Sequence, residues 1–387
     1  MAKGTKTKAG RARGGAKTVR PRGKQRSSVT REGRSVSKVL DPMTVARISS
    51  AYWHSKVLHV ANRLDVFNRL AGRTATAEEL AREVGADPRG LDILLIAVTS
   101  LGLLERANGK QRSSVTLDGK QRSSVTLEGR YRNSPLADTF LVKTSPRYQG
   151  GIVSMFEDWY PTWGKLFDAV VTGKPPVQKP HDQGDEATRT YIYGMHYRGL
   201  AQAQLLARKI PLKGRKRLVD IAGGPGTFSI MLCKANKGLS AMVIDRPQTL
   251  RVTREIIASY QVSDRVATKE GDYLADTFGA GYDAGLLSSM FNQESPTVVK
   301  DILRKTHDAL APGGLVIVQE QLLNDEKSGP ALAAMIGVNQ LLHTPGGAAY
   351  SGGEMGDWMK EVGFTKVKRV PMPSPSPFIV LTGIKPS

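Results

Sequence analysis

From Met43 to about Leu64, and again over TAEELAREV and RGLDILLIAVTSLG, apolar residues recur three and four positions apart. That spacing predicts amphipathic helices. From about residue 214 onward the pattern changes to short apolar runs alternating with helical ones. LVDIA, AMVIDRP, VATKEGDY, YDAGLLSSMF and LVIVQEQLL read as strands, and FSIMLCKA, TLRVTREIIASY and TVVKDILRKTHDAL as helices, with APGG as a turn. Such alternation predicts an α/β fold with a parallel, doubly wound sheet that takes ligands at the carboxyl ends of its strands. After WMKEVGF, TKVKRV and FIVLTGI follow with no helix between them, so an antiparallel hairpin is expected at one sheet edge.

The N-terminal part, 41–145, reads as a mainly helical domain ending in a wing. Thr76 caps one helix, Asp87-Pro88 opens another that runs through Ser100, and LLERA and RYRNS form strands. This is the order of a winged helix. A DNA reader needs exposed Arg, Lys, Asn or Gln along its recognition helix, but RGLDILLIAVTSLG offers Arg89 and Asp92 and then apolar residues on nearly every face. That helix therefore belongs in a core or a subunit interface. Between the wing strands GKQRSSVT recurs in tandem, at 109–116 and 119–126, with a further copy at 23–30. We read 109–130 as an inserted hairpin arm without assigned chemistry. Residues 146–205 link the halves. Their aromatic residues pack against the next domain, and Trp159, Trp163, Met195 and His196 are candidates to wall an aromatic substrate pocket.

Charge alters the picture only locally. The net charge of +21 over 387 residues is concentrated at the start, where residues 1–40 hold thirteen Lys/Arg against Glu32 alone. So polar a segment cannot offset its ordering entropy and is expected to be a disordered basic tail, capable of weak, salt-dependent phosphate binding. It lacks the apolar core of a secretory signal. The longest apolar run, LLIAVTSLGLL at 94–104, is about half of what a bilayer needs, so no membrane span is expected. The single cysteine, Cys233, excludes an internal disulfide and fits a reducing cytoplasm.

The candidate chemistry centres on DIAGGPGTFS, 220–229. A dinucleotide fingerprint would set a third glycine where Ser229 stands. Asp220 would repel a diphosphate but can bind an ammonium. Asp245, closing the second strand, can accept both hydroxyls of a ribose, and Asp272 in GDY is placed to meet an adenine amino group. Three acids arranged around an amine, a sugar and a base describe S-adenosylmethionine better than NAD.

At these residues the chain resembles the class I S-adenosylmethionine-dependent methyltransferases. The motif order DIAGGPGT, VIDRP, EGDY, LLSSMFNQESP, ALAPGG and GGAAYSGGEMGDWMKEVGF is similar to that of the small-molecule O-methyltransferases of plant phenolic and bacterial polyketide type. The resemblance spans about 43–385 and implies a Rossmann-like catalytic domain over 206–387, a winged-helix dimerisation domain and a homodimer. It implies that Asp220, Gly223, Gly224 and Gly226 hold the methionine end, Asp245 and Arg246 the ribose, and Gly271, Asp272 and Tyr273 the adenine, with Ser288 beside the cofactor. Trp159, Met195, His196, Met335, Asn339 and His343 would face a small, aromatic methyl acceptor. No metal site is assigned.

The departure is at Asn292, where family members usually carry a histidine that takes the acceptor's proton. Asparagine orients a hydroxyl but has no basic nitrogen. Glu320, His196 and His343 are the substitute candidates. Two other readings stay open: a cofactor-binding homologue with altered or lost methyl transfer, and a nucleic-acid-associated protein using the basic tail.

Overall fold

The computed structural model describes residues 41–117, 120–176, 184–373 and 376–387, and the side chains of all of these except 108–128. The basic tail and the first copy of the repeat lie outside the described residues, as does any nucleic-acid contact they make. The described residues fall into two units, 41–50 in one and Ala51–Ser387 in the other. In the first, α1 (Met43–Ser49) begins where Asp41 accepts from the Met43 N–H at 3.0 Å, and all of its residues are exposed.

The second unit opens with α2 (Ala51–Arg63), so the single helix expected over 43–64 is interrupted at Ser50. It continues with α3 (Val66–Arg69), α4 (Ala77–Val84), α5 (Pro88–Ser100), β1 (Leu104–Leu117), β2 (Lys120–Asn133) and α6 (Pro135–Phe140). The caps fall where the sequence sets them. Thr76 and Glu79 satisfy each other's backbone N–H in a reciprocal box, and Asp87 accepts from Gly90 N–H with Pro88 in the first turn. Leu80, Leu91, Leu95 and Val98 bury one face of this domain against Phe67, Leu104 and Tyr131. The Tyr131 hydroxyl donates to Asp92 at 2.6 Å, so one of the two polar residues opening α5 is tied inside the domain. β1 and β2 form one antiparallel hairpin that runs without interruption from Leu104↔Asn133 to Leu117↔Lys120. The repeat thus extends the wing strands rather than separating them.

Three helices, α7 (Gly150–Trp163), α8 (Leu166–Thr172) and α9 (Asp185–Lys209), lead to the sheet. There follow β3 (Arg217–Ile221), α10 (Thr227–Ala235), β4 (Ser240–Asp245), α11 (Pro247–Ser259), β5 (Val266–Glu270), β6 (Tyr282–Ser288), α12 (Pro296–Ala309), β7 (Leu310–Glu320), α13 (Ala331–His343), α14 (Gly352–Glu361), β8 (Thr365–Val370) and β9 (Ile379–Ile384). The sheet order is β5-β4-β3-β6-β7-β9-β8, parallel from β5 to β7. The closing pair is antiparallel, with β9 between β7 and β8 and β8 at the edge. Strand order reverses beside β3, so the crevice lies at the ends of β3, β4 and β6, between apolar cores on both faces.

One element differs locally from its expectation. APGG is not a turn before the strand but part of β7: its register slips between Tyr282/Leu310 and Ala284/Leu315, and Gly313, at φ 71°, still donates to the Lys385 carbonyl at 3.0 Å. A glycine bulge keeps the backbone paired while absorbing extra residues.

Leu95 has no exposed surface and anchors the helical core. Leu95→Ala is expected to lower unfolding free energy by about 2–5 kcal/mol in urea titration, the range for a buried leucine whose cavity cannot collapse.

Candidate active site

The β3–α10 loop is shaped by what lies beneath it. Ala222, Gly224 and Gly226 all adopt left-handed backbone conformations, with φ of 51°, 53° and 69°. Gly223 is confined instead by space: a Cβ there would come within 2.8 Å of Asp220 Cγ and of Val243 Cγ1. The loop can therefore close over the end of β3 only with glycine at this position. Asp220 is 1% exposed. Its Oδ2 accepts from the Ser229 hydroxyl at 2.6 Å, and its Oδ1 has no partner. Burial pushes the Asp220 carboxyl up to about 7, against the smaller opposing effect of the Ser229 hydrogen bond.

Asp245, at the end of β4, faces the same cleft. It accepts from Gly224 N–H and Arg246 N–H, both at 2.8 Å, so it locks the loop to the neighbouring strand. Burial raises this carboxyl as well, opposed chiefly by those two backbone donors. The Thr249 side chain is a third donor to this carboxylate, which leaves one lone pair for a ligand hydroxyl. Gly271 and Tyr273 form another wall, and the Tyr273 hydroxyl donates to Glu294 at 2.6 Å. Ser288 is held by Gln319, whose Nε2 donates to its hydroxyl at 2.9 Å.

A second cavity adjoins this cleft. It is lined by Trp159, Asn292, Glu320, Asn339, His343 and Thr344 among others, and shares Tyr191, Met195, Arg198, Ser289 and Gln293 with the first. Glu320, 2% exposed, organises its floor: the carboxylate accepts from Phe291 N–H at 3.0 Å, Asn292 Nδ2 at 3.2 Å and its own neighbour Gln321 N–H at 3.1 Å. Burial, opposed by the Gln321 and Phe291 N–H groups and by the nearby Arg198 cation, places its carboxyl at about 7. Asn292 also donates to the Gln321 carbonyl at 3.3 Å, and its Oδ1 is buried without a partner. His343 Nδ1 lies 2.8 Å from the Asn339 carbonyl, which only accepts, so Nδ1 carries the proton.

Residues 163–365 match the model of the O-methyltransferase domain, over half of the chain. The chain belongs to the O-methyltransferase family. Residues 46–143 match the O-methyltransferase dimerisation domain. The chain is 33% identical over 350 residues to 3-hydroxy-5-methyl-1-naphthoate 3-O-methyltransferase of Streptomyces sahachiroi, covering 89% of this chain and 95% of that relative. It is 28% identical to the tetracenomycin polyketide synthesis 8-O-methyl transferase TcmO of Streptomyces glaucescens, covering 90% and 98%. Among solved structures, PigF with SAH superposes with a TM-score of 0.77 at 23% identity over 89% of this chain and 100% of that one, a likeness of fold.

Most of the residues singled out in the sequence of this methyltransferase meet in the two cavities. Asp220, Gly223, Gly224, Asp245, Arg246, Gly271, Tyr273 and Ser288 line the first. Trp159, Met195, Asn292, Glu320, Asn339 and His343 line the second. Five do not line either cavity. Gly226 shapes the loop from behind as the residue before α10. Asp272 is exposed and turned to its own loop, accepting from Leu274 N–H at 2.8 Å, because that short bond satisfies it locally. His196 points to the opposite side of α9 from the cleft, between Thr227 Oγ1 at 2.8 Å and the Tyr260 hydroxyl at 3.2 Å, and burial lowers its imidazole to about 4. Met335 is 49% exposed on the outer face of α13, with Ile336 lining the cavity instead. Trp163 stands behind the cavity wall, its Nε1 donating to Asn339 at 3.3 Å. Sequence reasoning passed over Arg198, Phe228, Thr249 and Gln293. The one signal for Arg198 was its position three residues after Met195, which puts both on one helix face.

The raised Asp220 carboxyl has a consequence for stability. Below the ordinary value of 3.8, Asp220 is protonated in folded and unfolded chains alike; as pH rises towards about 7 the unfolded chain gives up a proton the fold retains, and stability falls. Unfolding free energies of the ligand-free protein are expected to decline between about pH 4 and pH 7, and Asp220→Asn to flatten part of that decline. Urea titrations across that range check this.

Proposed function

We propose that this protein transfers the methyl group of S-adenosylmethionine to an oxygen of a small aromatic acceptor. What carries the reading is the pair of buried carboxylates on adjacent strand ends, flanking one glycine loop. Asp220 offers an oxygen without a partner, while Asp245 is anchored by Gly224, Arg246 and Thr249 and keeps a lone pair. An ammonium group at Asp220 and a ribose diol at Asp245 satisfy both, and a pyrophosphate satisfies neither. Gly223 keeps the loop backbone close to the cleft. Gly271 and Tyr273 serve the adenine, without Asp272. S-adenosylmethionine supplies an electrophilic methyl group on a cationic sulfur.

The protein's own contribution to the reaction is placement. Trp159, Tyr191 and Met195 present flat and polarisable surfaces to an aromatic ring. Asn292, with Nδ2 committed to Glu320 and Gln321, presents its carbonyl oxygen, which orients a neighbouring donor group of the acceptor and takes no proton from the reacting oxygen. Glu320 is engaged by three donors and acts as the anchor of Asn292, not as a base. Of the relatives named above, one is by its name a hydroxynaphthoate O-methyltransferase and the other an O-methyl transferase of polyketide synthesis, and an aromatic acceptor of the first kind is proposed here. We assign dimerisation to 41–145, pocket helices to 146–205 and catalysis to 206–387, in a cytoplasmic homodimer. Tyr52, Trp53, Ile93 and Ile96, large apolar residues left exposed on α2 and α5, suit a subunit contact.

Isothermal titration with S-adenosylhomocysteine tests the cofactor. Binding is expected to take up the charge of Asp220 and release a proton, so affinity rises by up to about tenfold per pH unit until about pH 7; Gly223→Ala abolishes it. Retention of NAD in place of this ligand would sink the proposal. Asn292→His is expected to raise methylation of phenols of ordinary acidity by about 10²-fold or more, measured by transfer of labelled methyl.

A further inference from the structure

Without a base at position 292, something else must make the acceptor oxygen nucleophilic. Arg198 stands at the place where this matters, because it is among the few residues shared by the cofactor cleft and the acceptor cavity. It projects from α9 one turn after Met195. Its Nη2 donates to Gln321 Oε1 at 2.5 Å, and its Nη1 lies 3.9 Å from Met195 Sδ. Among the described residues no carboxylate forms an ion pair with it. Glu320 acts on it only from a distance, its oxygens being turned to Phe291, Asn292 and Gln321. Burial pushes the guanidinium below its ordinary value, as for a cation short of counter-charge. Beyond its contacts with Gln321 and Met195, the guanidinium lines both cavities, where an entering anion can accept from it.

The same cavity wall carries two further unmet polar atoms, Trp159 Nε1 and Asn292 Oδ1. His343 also lines it, with Nε2 as its unprotonated nitrogen, but it is absent from the junction with the cofactor cleft.

We propose that Arg198 takes the acceptor as a phenolate, holding the ionised oxygen at the junction of the two cavities, so that the site's electrostatics replace the missing base. This rests on the reading of the cleft as a methyl-donor site. The hydroxyl proton leaves to solvent when the acceptor ionises. The oxygen lone pair then forms the O–C bond while the methyl carbon's bond to sulfur breaks, its electron pair staying on sulfur. No proton is left for the protein to remove in that step. A cation beside an ionisable oxygen lowers its pKa by about 1–3 units, enough to ionise an acidic phenol fully at neutral pH.

The probe is 4-nitrophenol, whose phenolate absorbs visible light, added to protein saturated with S-adenosylhomocysteine. Saturation itself is confirmed by calorimetry, and failure there overturns the methyl-donor reading rather than the role of Arg198. In the loaded wild type the bound phenol is expected to ionise about 1–3 pH units below the free one. Arg198→Gln returns the midpoint to the free value, and Arg198→Lys retains part of the shift. In methyl transfer, the pH limb of kcat/KM follows the acidity of each phenol across a substituted series, in wild type and His343→Gln alike. The role of Arg198 is overturned if loaded wild type fails to bind the phenolate at millimolar concentration or binds nitrophenol neutral. It is equally overturned if one limb, common to all phenols, vanishes in His343→Gln. A third overturning result marks a carboxylate clamp: Arg198→Gln weakens the binding of meta-hydroxybenzoate alone and leaves the nitrophenol midpoint where it was.

Discussion

A carboxylate sealed under a loop that has no room for a side chain governs the rest of this site. Asp220 has left water with half of its hydrogen-bonding capacity unfilled, a state that costs free energy and persists only where the surroundings impose it. Here β3 delivers the residue, Gly223 lets the backbone fold over it, and Ser229 on α10 fixes one oxygen. Asp245 then ties the loop to β4, so two strands and a helix are joined at one point. The fold is thus least relaxed at the mouth of the cleft, and the ligand proposed to bind there would relieve what folding left unmet.

The acceptor cavity shows a different economy. Glu320 gathers Phe291, Asn292 and Gln321 around itself, a rigid three-donor arrangement that holds the side chain at 292 in one orientation. A histidine fixed so would be poised as a base, whereas an asparagine fixed so is a template. The Glu320 frame thus fixes a hydrogen-bond acceptor at 292 and not a proton-accepting nitrogen.

What the sequence makes legible follows from where each residue sits in its element. Asp220 and Asp245 end strands, and strand ends of a doubly wound sheet point into the crevice, so their places were readable. Asp272 sits in a turn, where a short side chain satisfies itself on Leu274, and nothing local distinguishes that from ligation. His196 and Arg198 lie on one long helix whose faces both meet protein, so neither orientation has a periodic signature. Arg198 carries no sequence signal beyond its spacing from Met195. The APGG bulge was hidden because glycine marks equally a turn and an irregular strand.

The sheet closes with β9 inserted between β7 and β8, and Phe378, just before β9, lines the cofactor cleft. β8 precedes β9 in synthesis yet reaches the sheet only through it. As the polypeptide leaves the ribosome, β7 therefore waits with a bare flank of unpaired amides, the kind of surface that invites association with other chains. The segment that covers this flank follows directly on Phe378, so the wall of the cleft and the protection of the sheet edge arrive together.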